Sequence, residues 1–183
     1  IPATNLEESL ALLRQQNDKQ YVVAWVDCLA KDTALGRGVI HLGSHSETGN
    51  LEQRAKRKLS VPFTTPGFLL NRYTMSGFNR LYYARQRFKK SVNSVYYDDY
   101  FFPLDSIRGW NRLYGAGGFL QYQFVLPDDS AEKGLRETLD TVSRSGKGSF
   151  LAVLKRFGPA NGNWLSFPSE GVTLTLDFKY EAD

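Results

Sequence analysis

Residues 119–157 read FLQYQFVL, PDDS, AEKGLRETLDTVSRSG and KGSFLAVLKRF, and this stretch decides the fold. Phe119 to Leu126 is rich in aromatic and branched side chains and reads as a strand, ended by Pro127, which has no amide to give a ladder. Ser130 then precedes a run in which Leu135, Leu139 and Val142 recur at helical spacing, and Gly146 stops it. Phe150 to Phe157 reads as a second strand and Val172 to Phe178 as a third. Strand, helix, strand, strand is most of a ferredoxin-like unit, which would continue with a helix and a last strand. The chain reaches Asp183 where that helix is expected, so the unit is read as truncated at its C-terminus. The fold class expected is α+β, an antiparallel sheet flanked by helices, with residues 1–183 forming one domain.

The flanking sequence extends the sheet. Thr4-Asn5-Leu6-Glu7 has the form of a capping box, and Leu6, Leu10 and Leu13 continue it as an amphipathic helix over 5–16. Tyr21 to Cys28 and Gly36 to Ser44 read as strands. Residues 45–62 are polar and basic and predict an exposed loop. Leu69, Tyr73, Leu81 and Tyr82 form a helical stripe over 68–87, with a break expected at Gly77 because glycine disfavours helix interiors. Val92 to Phe102 reads as an aromatic strand containing Asp98 and Asp99. Residues 103–118 form a loop long enough to suggest a functional role.

Composition narrows the function. A net charge of +4 is too small to argue for nucleic acid, and no apolar run approaches a membrane span. The location expected is cytoplasmic, with membrane association left open. The single cysteine, Cys28, excludes an internal disulfide and has no partner motif for nucleophilic work. Ile1 in place of Met suggests a piece of something longer. On one strand His41 and His45 would sit about 13 Å apart, too far to share an ion, so no metal is expected. Gly115, Gly117 and Gly118 precede a strand rather than a helix, the wrong context for a phosphate loop, and read as turn glycines. The basic runs Arg54, Lys56, Arg57, Lys58 and Arg85, Arg87, Lys89, Lys90 read as solvated faces. Residues 147–157 invite an RNA-recognition reading, but Ser149 and Leu151 occupy positions where stacking aromatics are needed.

Two segments resemble a known family. The first holds Pro103-Leu104-Asp105, Trp110-Asn111-Arg112, Tyr114-Gly115 and Gly118 through Val125. The second holds Ser149-Phe150-Leu151, Val153, Lys155, Phe157-Gly158-Pro159, Leu165-Ser166-Phe167-Pro168 and Asp177-Phe178. Together they are similar to the cap domain of the decaprenylphosphoryl-ribose oxidase family, within the vanillyl alcohol oxidase type of flavoenzyme. The resemblance implies that this chain is the substrate-binding part of a two-domain enzyme whose FAD domain lies outside it. FAD, held mainly by that other domain, would take hydride from a sugar or polyol carbon. The partners implied are therefore the FAD domain of the same polypeptide and a sugar-like small molecule.

The resemblance also nominates site residues. Gln121 and Gln123 are two apart on a strand and share a face, which is either solvent-facing or turned to flavin and substrate. Lys155, mid-strand among apolar residues, either snorkels to solvent or faces the pocket, the second being the family reading. Phe101 and Phe157 are candidate apolar walls. Thr175 stands where the family carries a cysteine on its strand, which counts against a lipid-linked ribose as substrate. No catalytic residue is assigned. The alternative reading is a non-enzymatic module that holds an anionic ligand or RNA on its sheet.

Overall fold

The computed structural model describes residues 1–16, 18–49, 59–88 and 92–181. The described elements are β1 (Pro2–Ala3), α1 (Leu6–Gln15), β2 (Tyr21–Val26), β3 (Gly38–Gly43), β4 (Leu59–Ser60), α2 (Arg72–Arg87) and α3 (Tyr97–Phe101). They continue with β5 (Ile107–Arg108), β6 (Phe119–Leu126), α4 (Ala131–Ser145), β7 (Ala152–Phe157) and β8 (Gly171–Lys179). Six strands form one sheet in the order β1-β3-β2-β7-β8-β6, and every neighbouring pair is antiparallel. Both β6 and β7 run against β8, which lies between them, so they are parallel to each other with α4 as crossover. That is the split βαβ arrangement expected from residues 119–178.

Alternation along the strands divides the apolar residues between two faces. On one face, Leu6, Leu10 and Leu13 of α1 and Leu135, Leu139 and Val142 of α4 pack with Ala24, Val26, Ile40, Ala152, Leu154, Leu174 and Leu176. These leucines are the ones whose spacing defined the helices. On the other face, α2 sets Tyr83 against Trp25 and Val39.

What fixes α2 there is polar. The Asp27 carboxylate, buried at the end of β2, accepts from Arg37 Nε at 3.0 Å and Nη2 at 2.6 Å. Its other oxygen accepts from the Leu29 amide at 3.1 Å and Asn79 Nδ2 at 2.9 Å. Asn79, on α2, also donates to the Ser149 carbonyl at 3.2 Å. The Arg37 guanidinium lies 5.1 Å from the centre of the Tyr83 ring. One carboxylate thus joins β2, β3, α2 and the approach to β7.

Several expectations are corrected. The strand expected over Val92 to Phe102 is absent: residues 92–96 are irregular and 97–101 are helical, with Tyr96 in extended backbone before the turn and Asp98 and Asp99 in its first turn, where acids complement the helix dipole. The first helix is capped by Asn5, whose side chain accepts from the Glu8 amide at 2.9 Å; Thr4 donates its amide to the Glu8 carboxylate at 2.8 Å. Ser130 makes no side-chain cap and donates to the Pro127 carbonyl instead. Within the expected loop 45–62, β4 pairs in parallel with β5, which lies in the expected loop 103–118; short 3-10 turns at Pro103–Ser106 and Trp110–Tyr114 flank β5. Residues 50–58, 89 and 90, with most of the basic groups singled out in the sequence, lie outside the described residues. Gly115 and Gly118 have positive φ (85° and 74°) and are turn glycines.

The break expected at Gly77 is absent, since α2 runs unbroken from Arg72 to Arg87 and Gly77 faces solvent. A Cβ there would meet nothing within 4 Å. Gly77→Ala should therefore raise stability by about 0.5–1 kcal/mol, read from chemical denaturation. Asp27→Ala would leave Arg37 partly buried without its partner and Asn79 with only the Ser149 carbonyl to donate to. It should cost about 3–5 kcal/mol in the same measurement.

Candidate functional site

The face of the sheet opposite α1 and α4 carries the nominated residues. Across β6, β8 and β7, Gln123 lies beside Thr175, which lies beside Val153; one pair further along, Val125, Thr173 and Lys155 form the next row. Gln121 lies beside Asp177. Directly paired residues share a face, so Gln121, Gln123, Thr175 and Lys155 stand on one surface, with Phe157 two residues beyond Lys155. Gln121, Gln123 and Lys155 are exposed, and Thr175 between them is half-buried. Phe157 is half-buried against Phe167, with ring centres 6.2 Å apart. Phe101 does not join this group. It sits on α3 in edge-to-face contact with Tyr21, 4.8 Å between centres, toward the β2–β3 end.

Hydrogen bonds below the surface determine what the glutamines offer. Gln121 Nε2 donates to Asp177 at 2.8 Å, and Gln123 Nε2 donates to the Thr173 hydroxyl at 3.0 Å. The Thr173 hydroxyl in turn donates to the Phe124 carbonyl at 2.8 Å. Among the described residues neither glutamine Oε1 has a hydrogen-bond donor, so on these two exposed side chains both oxygens keep their acceptor capacity. A ligand with hydroxyl or N–H donors matches that pattern.

Asp177 belongs to a buried polar chain that the sequence did not reveal. Its carboxylate also accepts from the Tyr114 hydroxyl at 3.4 Å, and Tyr114 contacts the Ser149 hydroxyl at 3.3 Å. Tyr114 is fully buried, stacked on Phe119 and Phe150. Burial pushes the Asp177 carboxyl above its ordinary value, against the opposing pull of Gln121 and Tyr114. Burial likewise raises the Tyr114 phenol, so it remains a donor at neutral pH. Tyr114 and Asp177 are 63 residues apart, and no spacing rule joins them.

Beside the polar surface lies an apolar cleft of about 740 Å³. Its floor is Trp25, Leu151 and Val153, and Phe78 and Tyr82 of α2 wall one side. Trp110 and Leu104 come from the expected loop 103–118 and line the cleft. Val153 belongs to both regions, since it floors the cleft and pairs with Thr175. The Trp25 indole donates to the Phe150 carbonyl at 2.9 Å, fixing the ring. His41 reaches the cleft from β3, and burial lowers its pKa. Cys28 is buried, with its thiol pushed up to about 12, and is unsuited to nucleophilic work. Among the described residues no group of three or more His, Cys, Asp or Glu could hold a metal.

The fold is thus α+β, with a polar sheet surface set beside an aromatic cleft. Comparison with known proteins places it more narrowly. The chain is 33% identical over 190 residues to decaprenylphosphoryl-β-D-ribose oxidase of Mycolicibacterium smegmatis, a match covering 97% of this chain and 41% of that protein. It is 27% identical over 197 residues to an uncharacterised protein in the mprA 5′ region of Streptomyces coelicolor, covering 98% of this chain and 53% of that one. The chain therefore spans about half the length, or less, of these relatives. No family model matches it. The resemblance read from residues 103–127 and 149–178 thus extends along nearly the whole chain and is to the same oxidase.

The raised Asp177 carboxyl makes a testable statement. Its native form holds a proton to higher pH than the unfolded form, so the native state binds more protons in that window. Stability contributed by the protonated acid is present below the ordinary carboxylate range and is lost as pH rises through the native value. Asp177→Asn keeps an acceptor for Gln121 and Tyr114 without the buried charge. Its Tm should exceed that of the parent at about pH 8, and the gap should close as pH is lowered toward about 4, followed by thermal melts across pH.

Proposed function

We propose that this chain is the substrate-binding cap of an FAD-dependent oxidoreductase that removes hydride from a sugar or polyol alcohol. The observation that carries the reading is the pair of exposed glutamines, Gln121 and Gln123, whose nitrogens are held by Asp177 and Thr173 on a polar sheet surface bordered by an aromatic cleft. The similarity, over 97% of this chain, to part of an oxidase whose name specifies a ribose-bearing substrate supports it. FAD, when bound by the rest of the polypeptide, would supply the two-electron acceptor.

The residues present fit such a group. Gln121 and Gln123 accept from ring N–H or sugar hydroxyl groups, and both are held in orientation by Asp177 and Thr173. Lys155, two strands from Gln123, supplies positive charge where an anionic flavin or an anionic substrate group would develop. Thr175 at the centre is small and leaves room for a ring above the sheet. The neighbouring cleft excludes water and accepts an apolar substituent of the substrate. None of Gln121, Gln123 and Thr175 is a base, and Asp177 is engaged by Gln121 and Tyr114. The hydroxyl proton is therefore assigned to no residue of this surface.

The test uses the full-length protein, with flavin reduction followed by absorbance against a series of sugar alcohols. Gln121→Ala and Lys155→Met should each lower the single-turnover rate constant or the affinity by about 10–100-fold, the loss of one or two polar contacts. Unchanged reduction kinetics in both variants would remove this surface from the reaction. Retention of the purified chain on a phosphate-bearing matrix at low salt, with no flavin in the parent, would favour an anion-binding module instead.

A further inference from the structure

The outer side of α2 is a part of the described molecule that neither the core nor the candidate site uses. The helix buries Met75, Asn79 and Tyr83, and its opposite side is bare. Tyr73, Leu81 and Phe88 are 76%, 71% and 84% exposed. At about 100° per residue these three fall within about 80° of arc, and the small residues Gly77 and Ala84 fall in the same stripe. Arg80 and Arg87 border the stripe on one side and Arg85 on the other. The helix contains Arg72, Arg80, Arg85 and Arg87 and no acidic residue. The ion pairs among the described residues are made by other basic side chains, from Lys19, Arg37, Arg136, Arg144, Lys147, Arg156 and Lys179.

Arginines in the last turn complement the helix dipole, which accounts for Arg85 and Arg87 in part. It does not account for an aromatic and aliphatic stripe turned to water over the full length of a 16-residue helix. An apolar stripe bordered on both sides by arginine is the arrangement of a helix lying in a lipid interface. There the ring and leucyl side chains enter the acyl boundary while long basic side chains reach back to the head groups. A protein partner would need an acidic groove; an anionic bilayer supplies the complementary charge everywhere on its surface and deforms around a convex helix.

We propose that α2 is a membrane-docking helix that lies flat on an anionic lipid surface through Tyr73, Leu81 and Phe88, with Arg80, Arg85 and Arg87 at head-group level. The proposal is independent of the oxidoreductase reading, since it uses none of the sheet-face residues. The other side of the same helix walls the apolar cleft through Phe78 and Tyr82, so docking would bring the cleft close to the bilayer.

The experiment is co-sedimentation of the full-length protein with vesicles of phosphatidylcholine alone or with about a third phosphatidylglycerol. Each arginine near an anionic surface is expected to contribute about fivefold to partitioning. The protein should pellet with the anionic vesicles, less so at high salt, and the triple variant R80Q/R85Q/R87Q should weaken partitioning by about 100-fold. Leu81→Ser with Phe88→Ser, at positions too exposed to disturb the core, should weaken it by at least about tenfold. An unchanged melting temperature in each variant separates lost docking from lost folding. No pelleting with anionic vesicles, as when another part of the polypeptide covers α2, overturns the proposal. So does pelleting that both variants retain.

Discussion

The buried Asp27 carboxylate is the constraint on which the arrangement of this molecule depends. A carboxylate removed from water must be compensated in full, and Asp27 receives four hydrogen bonds from three parts of the chain. Arg37 holds the β2–β3 connection closed, and Asn79 holds α2 onto the sheet. Through Asn79 the same cluster reaches the Ser149 carbonyl and sets the start of β7. Without α2 in that position Trp25 and Val39 would lie bare, and the cleft would lose one wall.

A second polar chain, Ser149–Tyr114–Asp177–Gln121, runs on from the first at Ser149. Its effect at the surface is to commit the amide nitrogen of Gln121 inward and leave its oxygen free to accept. Thr173 does the same for Gln123. The hydrogen-bonding character of the face is thus decided by partners beneath it. An exposed glutamine free to rotate can exchange the places of its donor and acceptor; one whose nitrogen is anchored keeps its acceptor oxygen and one remaining N–H in a fixed orientation.

The two faces of the sheet are consequently used for different purposes. The face under α1 and α4 is a continuous aliphatic core. The opposite face is divided, with β3 and β2 covered by α2 and the segment 97–114, and β8 and β6 carrying an open polar surface. Where those halves meet, at Val153, cleft and polar surface adjoin.

Periodicity in the sequence was enough to determine the α+β class, the βαββ order over 119–178 and the leucines of α1 and α4, because burial on a single face imposes a regular spacing. It also put Gln121 and Gln123 on one face, and the family resemblance added Lys155, Thr175 and Phe157. Local chemistry was misleading where tertiary partners competed with it. Residues 97–101 have the aromatic composition of a strand but turn helical, with Tyr100 anchored through its hydroxyl to the Tyr21 and His41 carbonyls. Gly77 weakens a helix in isolation, but Met75, Asn79 and Tyr83 secure α2 on both sides of it. The roles of Asp27, Asn79, Tyr114 and Asp177 were not legible at all, since each depends on a partner many residues away. Hydrogen bonds of that kind leave no period in the sequence, and only the folded chain decides which polar groups meet.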